Sequence, residues 1–324
     1  MHDLTDITLN VLLPILVLVL LGVWMRRQFN IDLGTLSKLT LYLFVPGYVY
    51  QKVATSSMPW SDMGAVVGIT TMQVVILGAV VWWLGRLLRV PRQTLAAVAI
   101  AVMFYNSGNY GLPLAELAYP AANPLKQGGA AQAFVMLTQN ILNLTVGMAI
   151  AAAAGSAHWS EVLRKLIYMP VLPMLAAALI TRGWINGDAS RLPIYIAKPA
   201  QLLSDGLLPL AIVTMGAQLG ANPRWPRWRP VSFVIALRLF FAPLQMLGML
   251  WFFHRIGWKT MDVWPWPAEL LVVSASVPSA VNNLLITMEM GGDVDLAADC
   301  VFWTTIVSVV TIAGWLVVMR HMFV

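Results

Sequence analysis

Two short polar segments interrupt otherwise apolar stretches of the sequence. They read Asn106-Ser-Gly-Asn-Tyr-Gly-Leu-Pro113 and Ser276-Val-Pro-Ser-Ala-Val-Asn-Asn283. Each contains a proline, which has no amide hydrogen and disturbs the preceding helical turn, and the first also contains glycines, which permit non-helical backbone. We therefore expect the helix to unwind at each segment and to resume as a second half-helix.

The half-helices that follow these segments would favour an anionic ligand. Free backbone N–H groups and the positive end of the helix dipole lie at the N-terminus of each one. Asparagine and serine side chains add neutral hydrogen-bond donors that suit a carboxylate. Proline kinks with asparagines that bond neighbouring helices would have the same composition, but two interruptions at matching places favour a binding site. The candidate substrate-binding residues are Asn106, Ser107, Asn109, Pro113, Pro278, Asn282 and Asn283.

Other polar residues lie inside apolar stretches. Gln139 and Asn143 are four residues apart and so share one helix face. Lining the substrate site and hydrogen-bonding a neighbouring helix stay open as interpretations of this pair. Asp205, Arg238 and Glu116 are candidates for ion coupling or charge pairing, and Arg238 also for a substrate counter-ion, because charges at membrane depth are often functional. Mutual pairing and snorkelling are the alternatives.

The composition indicates that lipid surrounds these elements. Of the 324 residues, 59% are hydrophobic and only 10% are charged, whereas soluble domains carry about 25% charged residues. The net charge of +6 comes from short basic clusters between apolar runs. Such clusters are typical of loops beside an anionic membrane surface, so we expect membrane lipid and no nucleic acid as a partner. The scattered histidines show no metal-ligand spacing.

A helix needs about 20 apolar residues to cross a bilayer. On this basis the sequence predicts an all-α integral membrane protein with ten transmembrane helices. The predicted spans are Ile7–Met25, Leu33–Ala54, Gly64–Gly85, Thr94–Tyr119, Ala130–Ala154, Leu166–Trp184, Lys198–Gly220, Pro230–Phe253, Ala268–Met290 and Ala297–Met319.

The distribution of basic residues predicts the orientation. Cytoplasmic loops are enriched in lysine and arginine. The first half of the chain satisfies this rule if both termini lie on the non-cytoplasmic side of the inner membrane, although several basic residues of the second half then fall outside. The basic residues placed inside are Arg26, Arg27, Lys38, Arg86, Arg89, Arg92, Arg164, Lys165, Arg224, Arg227 and Arg229; Lys52 and Lys126 fall outside.

Ten helices divide into two sets of five. A repeat with an odd number of spans must be inverted relative to its copy. We assign 1–158 to the first repeat and 159–324 to the second, which puts the polar segments in spans four and nine. Interrupted helices at corresponding positions of two repeats are the sequence feature that best indicates a transporter's binding site.

The first polar segment resembles the fourth-helix signature of the auxin efflux carrier family, Asn106-x-x-x-x-Gly111-Leu112-Pro113-Leu114. Looser similarities cover most of the chain, in LSKLTLYLFVPGYVYQKVA, TMGAQLG, VPSAVNN and TTIVSVVTI. Asn106, Pro113 and Pro278 fall on motif positions. The plant members carry an acidic residue near the end of helix two, but the sequence here reads ATSSMPW, so a proton role at that position does not transfer.

The resemblance implies a particular architecture and activity. Helices four and nine cross at their prolines, and helix five lines the site. A scaffold of helices one, two, six and seven forms a homodimer, and a transport domain of the other six moves against it like an elevator. The family carries small organic anions, including auxin and the dicarboxylates malate and malonate.

The leading hypothesis is therefore a secondary transporter of small organic anions. It is not an enzyme and needs no cofactor, although coupling to H⁺ or Na⁺ is open. The alternative is a cation/proton antiporter of similar crossed-helix architecture, which would place acids where these segments have asparagines. The absence of a phosphate-binding G-x-x-x-x-G-K loop excludes ATP-driven transport by this chain alone. An intramembrane enzyme would need a paired acid, base or nucleophile at membrane depth, which Asp205 without a matching group does not supply. A passive channel or a sensor stays open as an alternative, and trans-acceleration in proteoliposomes would distinguish a carrier from a channel.

Overall fold

A computed structural model describes residues 2–29, 31–120, 127–150, 170–220, 225–289 and 292–322. Within these ranges the chain is helical and forms no β-strand. Six of the described helices are long and apolar enough to cross a membrane: Thr5–Phe29, Trp60–Leu87, Gly128–Ile150, Ile194–Leu219, Trp228–Ile256 and Val294–Met322. Two shorter apolar helices, Arg92–Met103 and Val171–Ile185, accompany them. The protein is thus an all-helical integral membrane protein.

We number the helices in chain order. Several of them pass through a π-helical turn, for example at Thr40–Phe44. The helices are α1 (Thr5–Phe29), α2 (33–54), α3 (Trp60–Leu87), α4 (Arg92–Met103), α5 (Gly111–Ala118), α6 (Gly128–Ile150), α7 (Val171–Ile185), α8 (Ile194–Leu219), α9 (Trp228–Ile256), α10 (Ala268–Ala275), α11 (Asn282–Glu289) and α12 (Val294–Met322).

Local sequence explains where several helices begin. The Asp32 carboxylate accepts hydrogen bonds from the backbone N–H groups of Gly34 and Thr35 and so caps α2. Proline occupies the position before α3, α4, α7, α8 and α10. A proline costs nothing there, because the first amide groups of a helix have no intrahelical acceptor.

The predicted spans overlap these helices, and spans four and nine are each divided in two. Span four becomes α4 and α5, and span nine becomes α10 and α11, so both predicted interruptions are present. The end of span five, the start of span six, Met290 and the boundary between 158 and 159 lie outside the described residues, as do Lys126, Arg164, Lys165 and Arg224.

The helices pack in two groups. One contains α1, α2, α7 and α8, in which α1 packs along α8, and α2 packs on both α7 and α8. The other contains α3–α6 and α9–α12, in which α3 packs on α4 and α6, and α9 packs on α10 and α12.

Glycines bring α1 and α8 into close contact. A Cβ atom at Gly22 would collide with the carbonyl oxygen of Val213, and one at Gly216 would collide with that of Val19. Small residues allow membrane helices to approach at backbone distance. The α1–α8 pair is therefore suited to form the rigid part of its group.

Candidate functional site

The two interrupted helices contact each other at their breaks. Tyr105 and Ser279 form an isolated antiparallel bridge. The Asn106 N–H donates to the Pro278 carbonyl at 2.8 Å, and the Ala280 N–H donates to the Phe104 carbonyl at 3.1 Å. The two unwound segments thus satisfy each other's backbone groups, which an isolated break inside a membrane could not do.

The crossing lies at Pro278 but not at Pro113. We expected both prolines at the crossing, yet Pro113 is the third residue of α5. Proline is tolerated in the first turn of a helix because the amide it lacks would have no intrahelical partner. The break therefore precedes Pro113 and is formed by residues 104–110.

Side chains of the second break bind carbonyls at the end of α4. Asn283 donates through Nδ2 to the carbonyls of Phe104 at 2.8 Å and Ile100 at 3.1 Å. The Ser279 hydroxyl donates to the Ala101 carbonyl at 2.7 Å. Asn143 on α6 donates to Asn283 Oδ1 at 3.1 Å. Asn143 and Asn283 therefore make the interhelical hydrogen bonds of the alternative interpretation.

Arg238 joins the ends of both first half-helices. Its side chain is fully buried on α9. The guanidinium donates to the Val102 carbonyl at 2.8 Å and to the Ala275 carbonyl, and it lies 4.5 Å from the centroid of the Tyr105 ring. Val102 and Ala275 stand at the C-terminal ends of α4 and α10, where the helix dipole is negative. Arg238 therefore neutralises two helix ends beside the crossing.

A small cavity lies between the crossing and the other helix group. Its volume of about 60 Å³ is roughly that of two water molecules at about 30 Å³ each. Both breaks, α6, α2 and α8 contribute to its wall. The lining residues are Ser37, Thr40, Leu41, Val45, Tyr105, Asn106, Ser107, Gly108, Asn109, Met136, Asn140, Gln218, Ala280, Val281 and Asn282.

Four asparagines give this cavity its chemistry, namely Asn106, Asn109, Asn140 and Asn282. None of them donates a side-chain amide hydrogen to another residue in the part of the chain that the structure describes. Asn106 uses its Oδ1 to accept the Asn109 N–H at 3.1 Å, and its Nδ2 donates to no other described residue. The cavity thus presents neutral donors and, among the described residues, no charged side chain.

Both second half-helices begin at this cavity. Asn282 is the first residue of α11, and α5 starts at Gly111, two residues after Asn109. The N-terminal amide groups of a helix lack intrahelical acceptors and carry the positive end of its dipole. Here the first amides of α5 donate to the preceding segment, Gly111 N–H to the Asn106 carbonyl at 2.9 Å and Leu112 N–H to the Gly108 carbonyl at 3.2 Å. The two helix ends therefore contribute their dipoles, and the four amide side chains contribute the hydrogen-bond donors for an anion.

The structure separates the predicted site residues into two sets. Asn106, Ser107, Asn109 and Asn282 line the cavity. The others are not among its lining residues: Pro113, Gln139, Asn143, Pro278 and Asn283. Gln139 is buried beside Tyr105.

Sequence reasoning missed Asn140 and the residues from α2 and α8. Asn140 lies one turn after Met136, and both line the cavity; the sequence alone does not show that this face of α6, rather than the face of Gln139 and Asn143, meets the cavity. Ser37 and Thr40 are three residues apart on α2 and so share a face. Gln218 on α8 gives no comparable signal, because its place depends on how the two helix groups pack.

The remaining candidate charges lie away from the cavity. Glu116 on α5 binds Lys52 of α2 at 2.6 Å and accepts the Tyr48 hydroxyl at 2.8 Å. This cluster connects the two helix groups, so Glu116 is charge-paired, one of the two roles considered for it. Asp205 is exposed on the outer surface of α8.

The chain is similar in sequence to known membrane transport proteins. Residues 189–316 match the family model described as "Membrane transport protein". An uncharacterized transporter of Methanothermobacter thermautotrophicus is 23% identical over 314 residues, covering 95% of this chain and 97% of that protein. A putative malonate transporter of Rhizobium meliloti is 23% identical over 325 residues, covering 96% and 95%. An uncharacterized transporter of Methanocaldococcus jannaschii is 22% identical, covering 95% and 98%. These similarities confirm the resemblance to the auxin efflux carrier family.

Proposed function

We propose that this membrane transporter, a relative of the auxin efflux carriers, carries small organic anions by an elevator-type secondary transport mechanism. In this proposal the ten spans form two inverted repeats of five. The scaffold consists of α1, α2, α7 and α8, and the transport domain consists of α3–α6 and α9–α12. The protein lies in the inner membrane with both termini on the non-cytoplasmic side.

The observation that supports an anionic substrate best is the set of free asparagine amides in the cavity. Amide donors and helix N-termini bind a carboxylate through dipoles rather than through a fixed positive charge. Such binding is selective for an anion yet permits release, which a carrier needs in every cycle. The name of the Rhizobium meliloti relative, a putative malonate transporter, makes small dicarboxylates the first compounds to test.

The position of the cavity supports movement of one helix group against the other. Its wall combines both breaks with Ser37, Thr40 and Gln218 of the other group. A volume of about 60 Å³ is below the roughly 300 Å³ at which small-molecule sites begin. The two groups must therefore separate before a substrate enters. The crossing can move as one unit, because Asn283 and Arg238 bind the two interrupted helices to each other through hydrogen bonds to backbone carbonyls.

The scaffold surface supports a homodimer. Asp205 is exposed halfway along α8, where a carboxylate that faced hydrocarbon would be unfavourable. A second copy of the chain that packed on this face would remove Asp205 from lipid.

A cation/proton antiporter is the alternative, and the cavity does not favour it. Antiport of cations would call for an acidic side chain beside the crossing, and the described cavity wall contains none. Glu269 is a buried carboxylate, but it lies at the start of α10 and does not line the cavity.

A thermal-shift comparison of matched compounds tests the proposed substrate class. Malonate, its diamide malonamide and an organic dication would be added to the purified protein. A ligand of the native state at 100 times its Kd stabilises it by about 2.7 kcal/mol. We expect malonate or another small carboxylate to raise the melting temperature and malonamide to have no effect. Stabilisation by the diamide or the dication, with none by any carboxylate, would contradict the proposal.

A further inference from the structure

A second and much larger cavity lies away from the crossing, between α3, α4 and the end of α6. Its volume is about 890 Å³, which is within the range of small-molecule sites. We call it the α3–α4 groove and define it by Gly78, Ala79, Trp82, Arg86, Ala96 and Ala99. None of the residues that line the crossing cavity belongs to it.

The walls of the groove are mainly apolar. Gly78 and Ala79 of α3 and Ala96 and Ala99 of α4 supply small side chains, and larger ones, among them Met103 beside Gly78, line the rest. Ala79 and Trp82 are exposed, so the groove opens at the side of the helix group. In a membrane this side is in contact with lipid rather than with water.

Three arginines surround one end of the groove, where α3 turns into α4. Arg86, Arg89 and Arg92 all line it and are all exposed. None of the three makes an ion pair with a carboxylate in the described ranges. The Arg86 guanidinium stacks 4.4 Å from the centroid of the Trp82 ring, which holds its donors at the groove. Guanidinium groups bind phosphate oxygens through paired hydrogen bonds.

The backbone of this turn makes the middle arginine unusual. Arg89 has a φ of +52°, in the left-handed region that glycine favours. The turn closes through a hydrogen bond from the Val90 N–H to the Gly85 carbonyl at 2.9 Å, the pattern of a helix end that commonly has glycine at this position. Arg89 thus occupies a position where glycine would be less strained.

We propose that the α3–α4 groove binds an anionic phospholipid. Its phosphate lies against Arg86, Arg89 and Arg92, and one acyl chain lies along the apolar walls. The sequence places this turn on the cytoplasmic side, where anionic lipids concentrate. From Arg86 to Gly78 the helix rises about 12 Å, which is close to half of the roughly 30 Å hydrocarbon core. A phospholipid in one leaflet of the bilayer therefore fits the groove: its phosphate can reach the arginines, and its acyl chain has about the length of the apolar part.

Binding of phosphatidylglycerol to the purified full-length chain tests this proposal. Phosphatidylcholine serves as the neutral lipid, and glycerol phosphate serves as a headgroup without chains. Native mass spectrometry and thermal shift would report occupancy. We expect phosphatidylglycerol to bind at least 10-fold more tightly than phosphatidylcholine, and glycerol phosphate to give no shift. Equal binding of the two lipids, or stabilisation by glycerol phosphate as large as by the lipid, would overturn the proposal.

Three variants locate the lipid. Arg89→Gly suits the left-handed backbone, so it removes one guanidinium without disturbing the turn. Arg86→Gln with Arg92→Gln removes the other two, and Ala79→Phe fills the groove from its exposed side. Each should lower phosphatidylglycerol affinity, the arginine double variant by at least 10-fold. The matched control, Arg27→Gln with Lys38→Gln, removes the same charge from exposed positions at the end of α1 and the start of α2, on the membrane side where the sequence also predicts the α3–α4 turn. An equal loss in this control would contradict a localised site.

Discussion

Asn282 and Asn283 are adjacent in the sequence but have different surroundings. Asn282 is exposed at the cavity with a free amide, whereas Asn283 is 1% exposed and bonded to two carbonyls of the other interrupted helix. The sequence could predict that one of the pair binds substrate but not which one. The choice depends on the orientation of α11 after an irregular segment, which no helical period fixes.

The pair provides a matched test at the residue scale. Asn282→Ala should weaken carboxylate binding by roughly 10- to 100-fold, because a hydrogen bond to a charged group contributes about 1.5–3 kcal/mol. Without ligand, the Asn282→Ala variant should have the same melting temperature as the wild type. Asn283→Ala should instead lower the melting temperature, since it removes the hydrogen bonds to the Phe104 and Ile100 carbonyls and the one from Asn143, each worth about 0.5–1.5 kcal/mol.

Titration calorimetry and thermal unfolding of the two variants would separate these effects. The assignment fails if Asn282→Ala unfolds at a lower temperature while binding carboxylates normally. Asn106→Asp adds a second check, because an anion placed beside the substrate should prevent its binding.

At the scale of elements, the interruptions themselves could be predicted from proline, glycine and asparagine in two apolar stretches. The place of the crossing could not, because it depends on hydrogen bonds between Tyr105, Asn106, Pro278 and Ser279, which are far apart in the chain. The hydrogen-bond partners of Arg238 could not be predicted from the sequence either. A buried arginine indicates a special contact, but only the folded chain shows that it binds two helix ends.

Arg238 should therefore be required for the crossing rather than for substrate recognition. Arg238→Met removes hydrogen bonds to the ends of α4 and α10, each worth about 1.5–3 kcal/mol when the donor is charged, and should lower the melting temperature. Arg238→Lys should recover only part of the loss, because an ammonium group lacks the planar fork that reaches two carbonyls. Thermal unfolding of both variants without ligand measures this. A stable Arg238→Met protein that has lost only carboxylate binding would show instead that Arg238 acts on the substrate.

The Lys52–Glu116 pair links the two helix groups. If the groups slide past each other, the ion pair must break in every cycle. Glu116→Gln should then change the rate of substrate exchange while leaving carboxylate affinity near that of the wild type. Exchange assays on Glu116→Gln, Lys52→Met and the double variant would reveal coupling if the effects do not add. Unchanged exchange in all three would show that the pair stays intact, or has no role, during transport.

At the scale of the molecule, movement of a net anion should depend on the electrical driving force. One charge that crosses the membrane potential is worth about 2.3 kcal/mol per 100 mV. We expect uptake into proteoliposomes to respond to an imposed potential or to a pH gradient. Uptake that ignores both would contradict a charged substrate moving alone or with a coupling ion.

The most direct test of the central claim is counterflow in proteoliposomes. Vesicles loaded with unlabelled malonate, or with the carboxylate that gives the largest thermal shift, would face a trace of the same labelled compound. An alternating-access carrier with its anion site at the crossing should accumulate label transiently, and Asn282→Ala should reduce this accumulation strongly at the same protein content. Passive equilibration without overshoot, or equal overshoot in wild type and Asn282→Ala, would contradict the account.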